Sequence, residues 1–281
     1  MRIFASIAVA SVATAALVTT AGSAANAQVS AQTGAQAAPA FSAYHGVTGQ
    51  QQTERFNTLR GQGYRPITFT VDDASAPRYG AVWVKRSGPA WAMIQGMSAS
   101  GYQKRFDSYL SQGYRPTSVS ATGSGNDAVF AAIFEKVPGK FFAKHNLTTG
   151  QFTAANADAA KRGYVLTAAN AYGTADDPRY AAVWTQGSQS WSVTVGKSFD
   201  EHHAEFLART KNGERPSLVT VGPDESYTSV WVKDSGSAWY EYTGMTPGGY
   251  QKRFDELKGK GFLPTLLDTE GGAYTAIWTK G

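Results

Sequence analysis

Gly63-Tyr64-Arg65-Pro66 is followed 50 residues later by Gly113-Tyr114-Arg115-Pro116, and degenerate copies of this string begin at Gly163, Gly213 and Gly261. An apolar triplet that ends in an aromatic residue keeps the same spacing, and its last residues are Trp83, Phe134, Trp184, Trp231 and Trp278. A third marker is an aromatic residue at Phe41, Trp91, Phe141, Trp191 and Trp239. Self-similarity at a fixed period is typical of repeat proteins. Three markers in phase predict five units, at 41–90, 91–140, 141–190, 191–238 and 239–281.

The order of elements within one unit follows from local signals. Residues 91–96 alternate like a short strand, and Ser98 then offers a helix N-cap. Apolar residues at helical spacing follow at Tyr102, Phe106 and Leu110. The glycine of the repeated string ends the helix and its proline prevents the helix from resuming. Two extended runs complete the unit, so each unit is predicted to be β-α-β-β. Equivalent N-caps in other units are Thr48, Ser198 and Thr246.

One helix and three short strands cannot bury both of their faces alone, so neighbouring units must stack. The predicted fold class is therefore an α+β tandem-repeat array of five units of about 48–50 residues. Two geometries satisfy this prediction. The favoured one is a curved, half-barrel-like array, and the alternative is a closed, propeller-like ring in which the last unit docks on the first.

The composition excludes several classes of protein. The 281 residues include 12% aromatic and 17% charged residues, which is typical of a folded chain. The net charge of +5 is small and spread over the whole chain, so it does not indicate nucleic-acid binding. The absence of cysteine excludes disulfides, thiol catalysis, Fe–S clusters and thiolate zinc sites.

The N-terminal segment is typical of an export signal. Arg2 precedes an apolar run over residues 3–18, and Ala25-Asn26-Ala27 matches an A-x-A cleavage pattern. We expect a signal peptide at 1–27 with cleavage after Ala27, a flexible Ala/Gln-rich spacer at 28–40, and a secreted or periplasmic protein without stable membrane insertion. A membrane anchor is the less favoured alternative, because the run is shorter than a membrane span requires.

The second and fifth units share a long string of identical or similar residues. Unit two contains Trp91, then Gly96-Met97-Ser98, then Tyr102-Gln103-Lys104-Arg105-Phe106-Asp107, and unit five repeats it from Trp239 through Asp255. These strings resemble the bacterial tandem repeat domain that precedes the catalytic domain of polyglycine hydrolases. The resemblance covers residues 41–281 and implies a curved, half-barrel-like α+β array. It implies no activity, because catalysis in those hydrolases belongs to a separate serine β-lactamase-like domain. That domain needs Ser-x-x-Lys, which this sequence lacks.

The sequence assigns no catalytic residue, metal ligand or cofactor. His45 and His145 occupy equivalent places, but Val195 fills that place in unit four, so a structural role is favoured. Residues 201–205, Glu-His-His-Ala-Glu, are the only cluster with possible metal ligands, and a solvated helix face is favoured because zinc needs three or four ligands. The acidic pairs at 72–73 and 176–177 are interpreted as turn residues and not as a calcium site.

Recurring aromatic and arginine positions are the candidates for binding. The last-strand aromatic series from Trp83 to Trp278 is expected to be core. The first-strand series is either core, which is favoured, or an exposed row. The candidate binding residues are Arg65, Arg115, Arg215, Trp91, Trp191 and Trp239.

The leading hypothesis is a secreted, non-catalytic binding module. Repeated weak contacts to an extended polymer would sum by avidity. The expected partner is a cell-wall glycan, a glycine-rich peptide or a protein polymer, and not a nucleic acid. The alternatives are a secreted hydrolase with an unrecognised site and a structural or envelope-assembly protein that binds other copies of itself.

Overall fold

The computed structural model describes residues 39–280. The predicted signal peptide at 1–27 and residues 28–38 of the predicted spacer lie outside the described residues. No helix between residues 39 and 280 combines the length and the hydropathy that a membrane crossing requires.

The fifteen strands and five helices of this range repeat the predicted β-α-β-β order five times. The first strands of the units are β1 (Phe41–Thr48), β4 (Trp91–Met97), β7 (Phe141–Thr148), β10 (Trp191–Lys197) and β13 (Trp239–Met245). The helices are α1 (Gly49–Gly61), α2 (Ala99–Ser111), α3 (Thr149–Lys161), α4 (Phe199–Lys211) and α5 (Pro247–Gly259). The second strands are β2 (Arg65–Asp72), β5 (Arg115–Thr122), β8 (Tyr164–Thr174), β11 (Glu214–Val221) and β14 (Phe262–Glu270). The third strands are β3 (Arg78–Val84), β6 (Val129–Glu135), β9 (Asp177–Gln186), β12 (Tyr227–Lys233) and β15 (Ala273–Lys280).

The helices begin and end where the sequence predicts. The hydroxyls of the predicted N-caps, and of Thr148 in unit three, each accept a hydrogen bond from a backbone N–H of the first helical turn. The glycine of the repeated string adopts φ between 71° and 82° after each helix, a left-handed conformation that costs glycine little. One expectation about the helix face is wrong. Leu110 is 46% exposed, and the neighbouring Tyr109 packs on Phe134 instead.

Each unit forms its own three-stranded antiparallel sheet, in which the third strand lies between the first and the second. In unit one, Phe41 and Arg65 both pair with Val84, whereas Thr48 and Asp72 both pair with Arg78. Every unit therefore has two ends. We call the end at the start of the first strand the basal end, and the end that holds the helix N-caps the cap end.

The last-strand aromatic series is core, as predicted. Trp83, Phe134, Trp184, Trp231 and Trp278 are all fully buried. The first-strand aromatic residues pack between units, against the helix of the preceding unit. The ring centroids of Phe56 and Trp91 are 5.8 Å apart, and those of Phe206 and Trp239 are 5.7 Å apart.

The last unit contacts the first. Phe254 of α5 packs edge-on against Phe41 of β1 at 6.0 Å, and Gln251 of α5 is 3.2 Å from His45. The second strands β2, β5, β8, β11 and β14 contact one another in sequence order, and β14 contacts β2. The five sheets remain separate, without a hydrogen-bonded barrel. Of the two geometries that the sequence leaves open, these contacts correspond to the closed, propeller-like ring and not to the half-barrel with free ends.

Buried polar side chains fill the centre of the ring. One residue from each second strand contributes to what we call the inner polar ring, which consists of Thr70, Ser120, Asn170, Thr220 and Asp268. The last four each accept a hydrogen bond of 2.8–3.0 Å from a backbone N–H of the preceding unit. The Thr70 hydroxyl lies 3.0 Å from that of Thr269, which links the fifth unit to the first. Four bonds from backbone donors to side-chain acceptors and one contact between two hydroxyls therefore tie all five units together at the axis.

Candidate functional site

A cation lies over an aromatic ring at the same basal position in three units. The Nζ atom of Lys85 is 5.8 Å from the ring centroid of Tyr64, and that of Lys136 is 5.9 Å from Tyr114. Lys280 is 5.0 Å from the ring of Phe262. The register causes this recurrence. The aromatic residue comes directly after the helix-ending glycine, and the lysine comes at the end of the neighbouring third strand.

The third unit reaches a similar arrangement with a different residue. The Arg162 guanidinium lies 5.3 Å from the rings of both Tyr164 and Phe142. Asp158 accepts a hydrogen bond of 2.8 Å from Arg162, and this contact raises the pKa of the guanidinium further. We call the set formed by Tyr64, Lys85, Tyr114, Lys136, Arg162, Tyr164, Phe262 and Lys280 the basal row.

A cleft of about 490 Å³ lies between the first two units at the basal end. Tyr64 and Tyr114 line it from equivalent positions, together with Trp91. Arg60 and Arg86 add positive charge at its rim, and both are exposed. The cleft therefore combines aromatic faces with cationic donors, which is a combination that suits sugars, peptide planes and carboxylates.

The predicted arginines have three different environments. Arg65 lines the cleft but is only 4% exposed, and its guanidinium lies 2.7 Å from Glu135 and 3.0 Å from the carbonyl oxygen of Pro89. Arg115 is half-buried and pairs with Glu135 in the β5–β6 register. Arg215 is partly exposed, with its Nε atom 4.0 Å from Asp234.

The predicted tryptophans lie at unit interfaces. Trp91 packs edge-on against Phe56 and Trp83, and it also lines the cleft. Trp191 donates a hydrogen bond of 2.9 Å to the carbonyl oxygen of Tyr164. Trp239 is 4% exposed and donates to Asp234 at 3.2 Å.

Two of the six predicted binding residues, Arg65 and Trp91, come together in the cleft, and Arg115, Arg215, Trp191 and Trp239 do not line it. Arg65 and Trp239 are buried, so these two side chains stabilise the packing of units and do not belong to an exposed row. Sequence reasoning missed the lysines. The available signal is a lysine two residues after Trp83, Phe134 and Trp278, in phase with the aromatic residue of the repeated string.

His45 and His145 have equivalent structural environments at two unit interfaces. His145 lies 3.1 Å from Gln103 of α2, and His45 lies 3.2 Å from Gln251 of α5. Burial lowers the pKa of both imidazoles. These contacts give each histidine a role in holding neighbouring units together.

His202 does not lie on a solvated helix face, and that expectation is wrong. Its side chain is buried, and its Nε2 atom is 2.7 Å from Glu241 of the fifth unit. The Ser229 hydroxyl lies 3.4 Å from the Nδ1 atom of His202. The order Ser229, His202, Glu241 resembles a hydrolase triad. All three residues are at most 3% exposed, so no substrate reaches the hydroxyl.

Residues of the predicted acidic pairs have structural partners, and Asp72 and Asp177 lie at the ends of strands β2 and β9 and not in turns. Asp73 accepts hydrogen bonds from the Ser75 hydroxyl and from the backbone N–H groups of Ala76 and Ser75, as expected for a turn, and these bonds lower its pKa. Asp177 pairs with Arg179 at 2.6 Å. Within residues 39–280, no group of three or more His, Cys, Asp or Glu side chains is arranged to hold a metal ion.

Comparison with known families agrees with the repeat architecture. The family described as polyglycine hydrolase-like structural repeat matches residues 38–86, 88–137, 138–187 and 236–281. These segments correspond to units one, two, three and five, and the fourth unit, between them, has the same order of elements and the same sheet topology. The chain therefore belongs to the family of polyglycine hydrolase-like structural repeats.

Proposed function

We propose that this chain is a non-catalytic binding module that acts outside the cytoplasm and holds an extended polymer along its basal row. The observation that supports this proposal is the recurrence of a cation over an aromatic ring at one position of units one, two and five. The cleft between units one and two is lined by the aromatic residues of two of these pairs, Tyr64 and Tyr114. A hydrolase is not favoured, because the Ser229–His202–Glu241 cluster is buried.

The chemistry of the basal row defines the kind of polymer. Half-buried rings such as Tyr64 and Tyr114 offer an apolar face to a sugar ring or a peptide plane. Exposed Lys85 and Lys136 offer N–H donors and positive charge to carboxylate and carbonyl oxygens. A cell-wall glycan that carries carboxylates fits these requirements best. The family name makes a glycine-rich peptide the next ligand to test.

The repeat converts weak contacts into useful affinity. A surface ion pair contributes at most about 1 kcal/mol, so one lysine cannot hold a ligand alone. A polymer that engages two or three units at once gains the effective concentration of a tethered ligand. We therefore expect binding to increase steeply with the length of the polymer.

Co-sedimentation of the full chain with insoluble peptidoglycan, with chitin and with an immobilised glycine-rich peptide tests the proposal. We expect retention on at least one of them. The double variant Lys85→Ala/Lys136→Ala is expected to bind that polymer at least about tenfold more weakly, which corresponds to about 1.4 kcal/mol. The matched control is Lys104→Ala/Lys252→Ala, which removes the same charge from exposed positions on α2 and α5.

Two results would contradict the proposal. The first is the absence of retention on all three polymers. The second is an equal loss of binding in the basal variant and in the control, because the net charge and not the basal row would then explain the affinity.

A further inference from the structure

A second cleft opens on the ring axis at the cap end, opposite the basal row. Its volume is about 770 Å³, and units one, two, three and five contribute to its lining. The polar lining includes Asp72, Thr122 and Glu270, which end the second strands of their units. We call this space the axial cleft.

The layer of side chains below the axial cleft is satisfied internally. Asp268 of the inner polar ring accepts hydrogen bonds from the Asn170 amide at 2.9 Å, the Thr220 hydroxyl at 2.6 Å and the backbone N–H of Val221 at 3.0 Å. Each oxygen of this buried carboxyl thus has a donor. This fold can therefore provide partners for polar groups on its axis.

The next layer toward the solvent contains Asp72, which has hydrogen-bond donors, and Glu270, which has a polar atom without a partner. Asp72 accepts hydrogen bonds of 2.9 Å from the backbone N–H groups of Gly271 and Gly272. Glu270 is only 7% exposed, and its Oε1 atom accepts a hydrogen bond of 3.2 Å from Thr122. The Oε2 atom of Glu270 is buried and has no hydrogen-bond partner. A buried carboxyl oxygen without a hydrogen-bond partner is costly in either protonation state, so this atom marks a polar group that the fold leaves unsatisfied.

The charges around Glu270 favour a cation as the partner of this atom. Burial raises the pKa of Glu270 to about 9, and the nearby carboxyls of Asp72 and Asp268 contribute to this rise. The other titratable groups that line the axial cleft are His45, Asp73, Tyr274 and the exposed Arg78. A positively charged ligand with N–H groups would ionise Glu270 and satisfy its Oε2 atom together.

We propose that the axial cleft binds a primary ammonium group, from a peptide N-terminus or a lysine side chain, with the Oε2 atom of Glu270 as its main acceptor. A guanidinium ion fits less well, because Thr122 already occupies the Oε1 atom that a bidentate pair would use. A metal ion is not favoured, because no metal-ligand group is formed within residues 39–280. This inference is independent of the basal row, which lies at the other end of the ring.

Isothermal titration calorimetry on the full chain tests the inference. The ligands are the N-acetyl methylamide of lysine, the methylamide of a dialanine peptide, and both compounds with their amine acetylated. We expect the free amines to bind, and the acetylated forms to bind at least about tenfold more weakly. Tighter binding of the lysine derivative would indicate that the cleft binds lysine side chains. Tighter binding of the dipeptide would indicate that it binds peptide N-termini. Either result supports the proposal.

The variant Glu270→Gln provides the second arm. The amide keeps an oxygen for Thr122 but loses the charge, so we expect affinity for the free amine to fall by at least about tenfold. Glu54→Gln removes one charge from the exposed face of α1 and serves as the matched control. Affinity for the lysine derivative should also rise from about pH 7 to about pH 9, because Glu270 ionises over that range while the lysine stays charged.

Three results would overturn the proposal. They are equal affinity for free and acetylated ligands, an unchanged affinity in Glu270→Gln, and no heat of binding up to about 10 mM amine, a range that detects even millimolar dissociation constants. The comparison of free and acetylated ligands uses the unaltered chain, so it remains decisive if the variant does not fold.

Discussion

At the scale of single residues, His202 and Glu241 occupy interface positions that other units fill differently. The equivalent pairs are Gln52 with Met93, Tyr102 with Ala143, Phe152 with Val193, and Tyr250 with Ala43. His202 and Glu241 are both 3% exposed, and the Oε2 atom of Glu241 has no partner. A buried, hydrogen-bonded polar pair often contributes less than well-packed apolar residues, although the loss of one partner is costly.

Glu241→Ala is expected to destabilise the chain by about 3 kcal/mol, because it leaves the His202 imidazole buried without its acceptor and opens a cavity. The double variant His202→Tyr/Glu241→Ala recreates the Tyr and Ala pair of two other interfaces. We expect it to recover at least half of that loss, through a coupling between the two sites. Urea denaturation provides the free energies of unfolding. Two additive single-site effects would show that the residues do not act as a pair.

The two axial carboxyls should make stability depend on pH. Burial raises the pKa of Asp268 to about 7 and that of Glu270 to about 9, above their unfolded values near 4. Between the unfolded and folded pKa values, the native state holds a proton that the unfolded state has lost. Stability should therefore fall as pH rises, by about 1.4 kcal/mol per pH unit for each group. Of the two carboxyls, only Glu270 contributes to this fall between about pH 7 and pH 9.

Urea denaturation at about pH 5, 7 and 9 measures this dependence. Glu270→Gln should remove the fall between the two higher values and reduce the change between the two lower ones, where Asp268 and, with the opposite sign, His45 and His145 still contribute. The carboxyls of Asp73, Glu201 and Glu256 have lowered pKa values, so their contributions lie below this window. Identical pH profiles for the variant and the unaltered chain would show that Glu270 keeps an ordinary pKa.

At the scale of elements, local signals in the sequence were sufficient for the helices and their order. Ser98 and Ser198 cap their helices as predicted, because capping depends on residues within one turn. The position of the third strand between the other two was not predictable from such signals, because it depends on pairing between distant segments. The Lys85–Tyr64 contact was missed for the same reason.

Two glycines, one within α3 and one just after it, have opposite backbone requirements, and their substitution provides a matched test. Gly150 lies in the first turn of the helix, and Gly163 follows the helix end with φ at 71°; an added Cβ would meet nothing within 4 Å at either position. Gly150→Ala should stabilise the chain by about 0.5 kcal/mol, because alanine loses less backbone entropy. Gly163→Ala should destabilise it by about 1 kcal/mol, because a Cβ is disfavoured in the left-handed region. Changes of the same sign in urea denaturation would contradict this account.

At the scale of the whole molecule, closure of the ring creates the axial cleft. The axial cleft brings Asp72 of the first unit to the loop of Gly271 and Gly272 in the fifth, and Thr122 of the second to Glu270. Contacts that span 148 to 200 residues leave no pattern in one sequence, so the cleft was not predictable. The basal row, in contrast, recurs in units one, two, three and five, and each of its aromatic residues directly follows the glycine of the repeated string.

Because the ring is closed, the first and last units bury part of each other's surface, and we expect this interface to contribute to stability. Phe41 packs on Phe254 across the closing interface at 6.0 Å, and Phe141 packs on Phe106 across an internal interface at 6.4 Å. Both Phe41 and Phe141 are partly buried, so each change to alanine should cost about 2 kcal/mol in a closed ring. Leu110→Ala, on an exposed face of α2, is the control and should cost less than about 0.5 kcal/mol. Urea denaturation should show nearly equal losses for the two phenylalanine variants. In an open array, Phe41 would stand at a free end, and its loss would resemble that of Leu110.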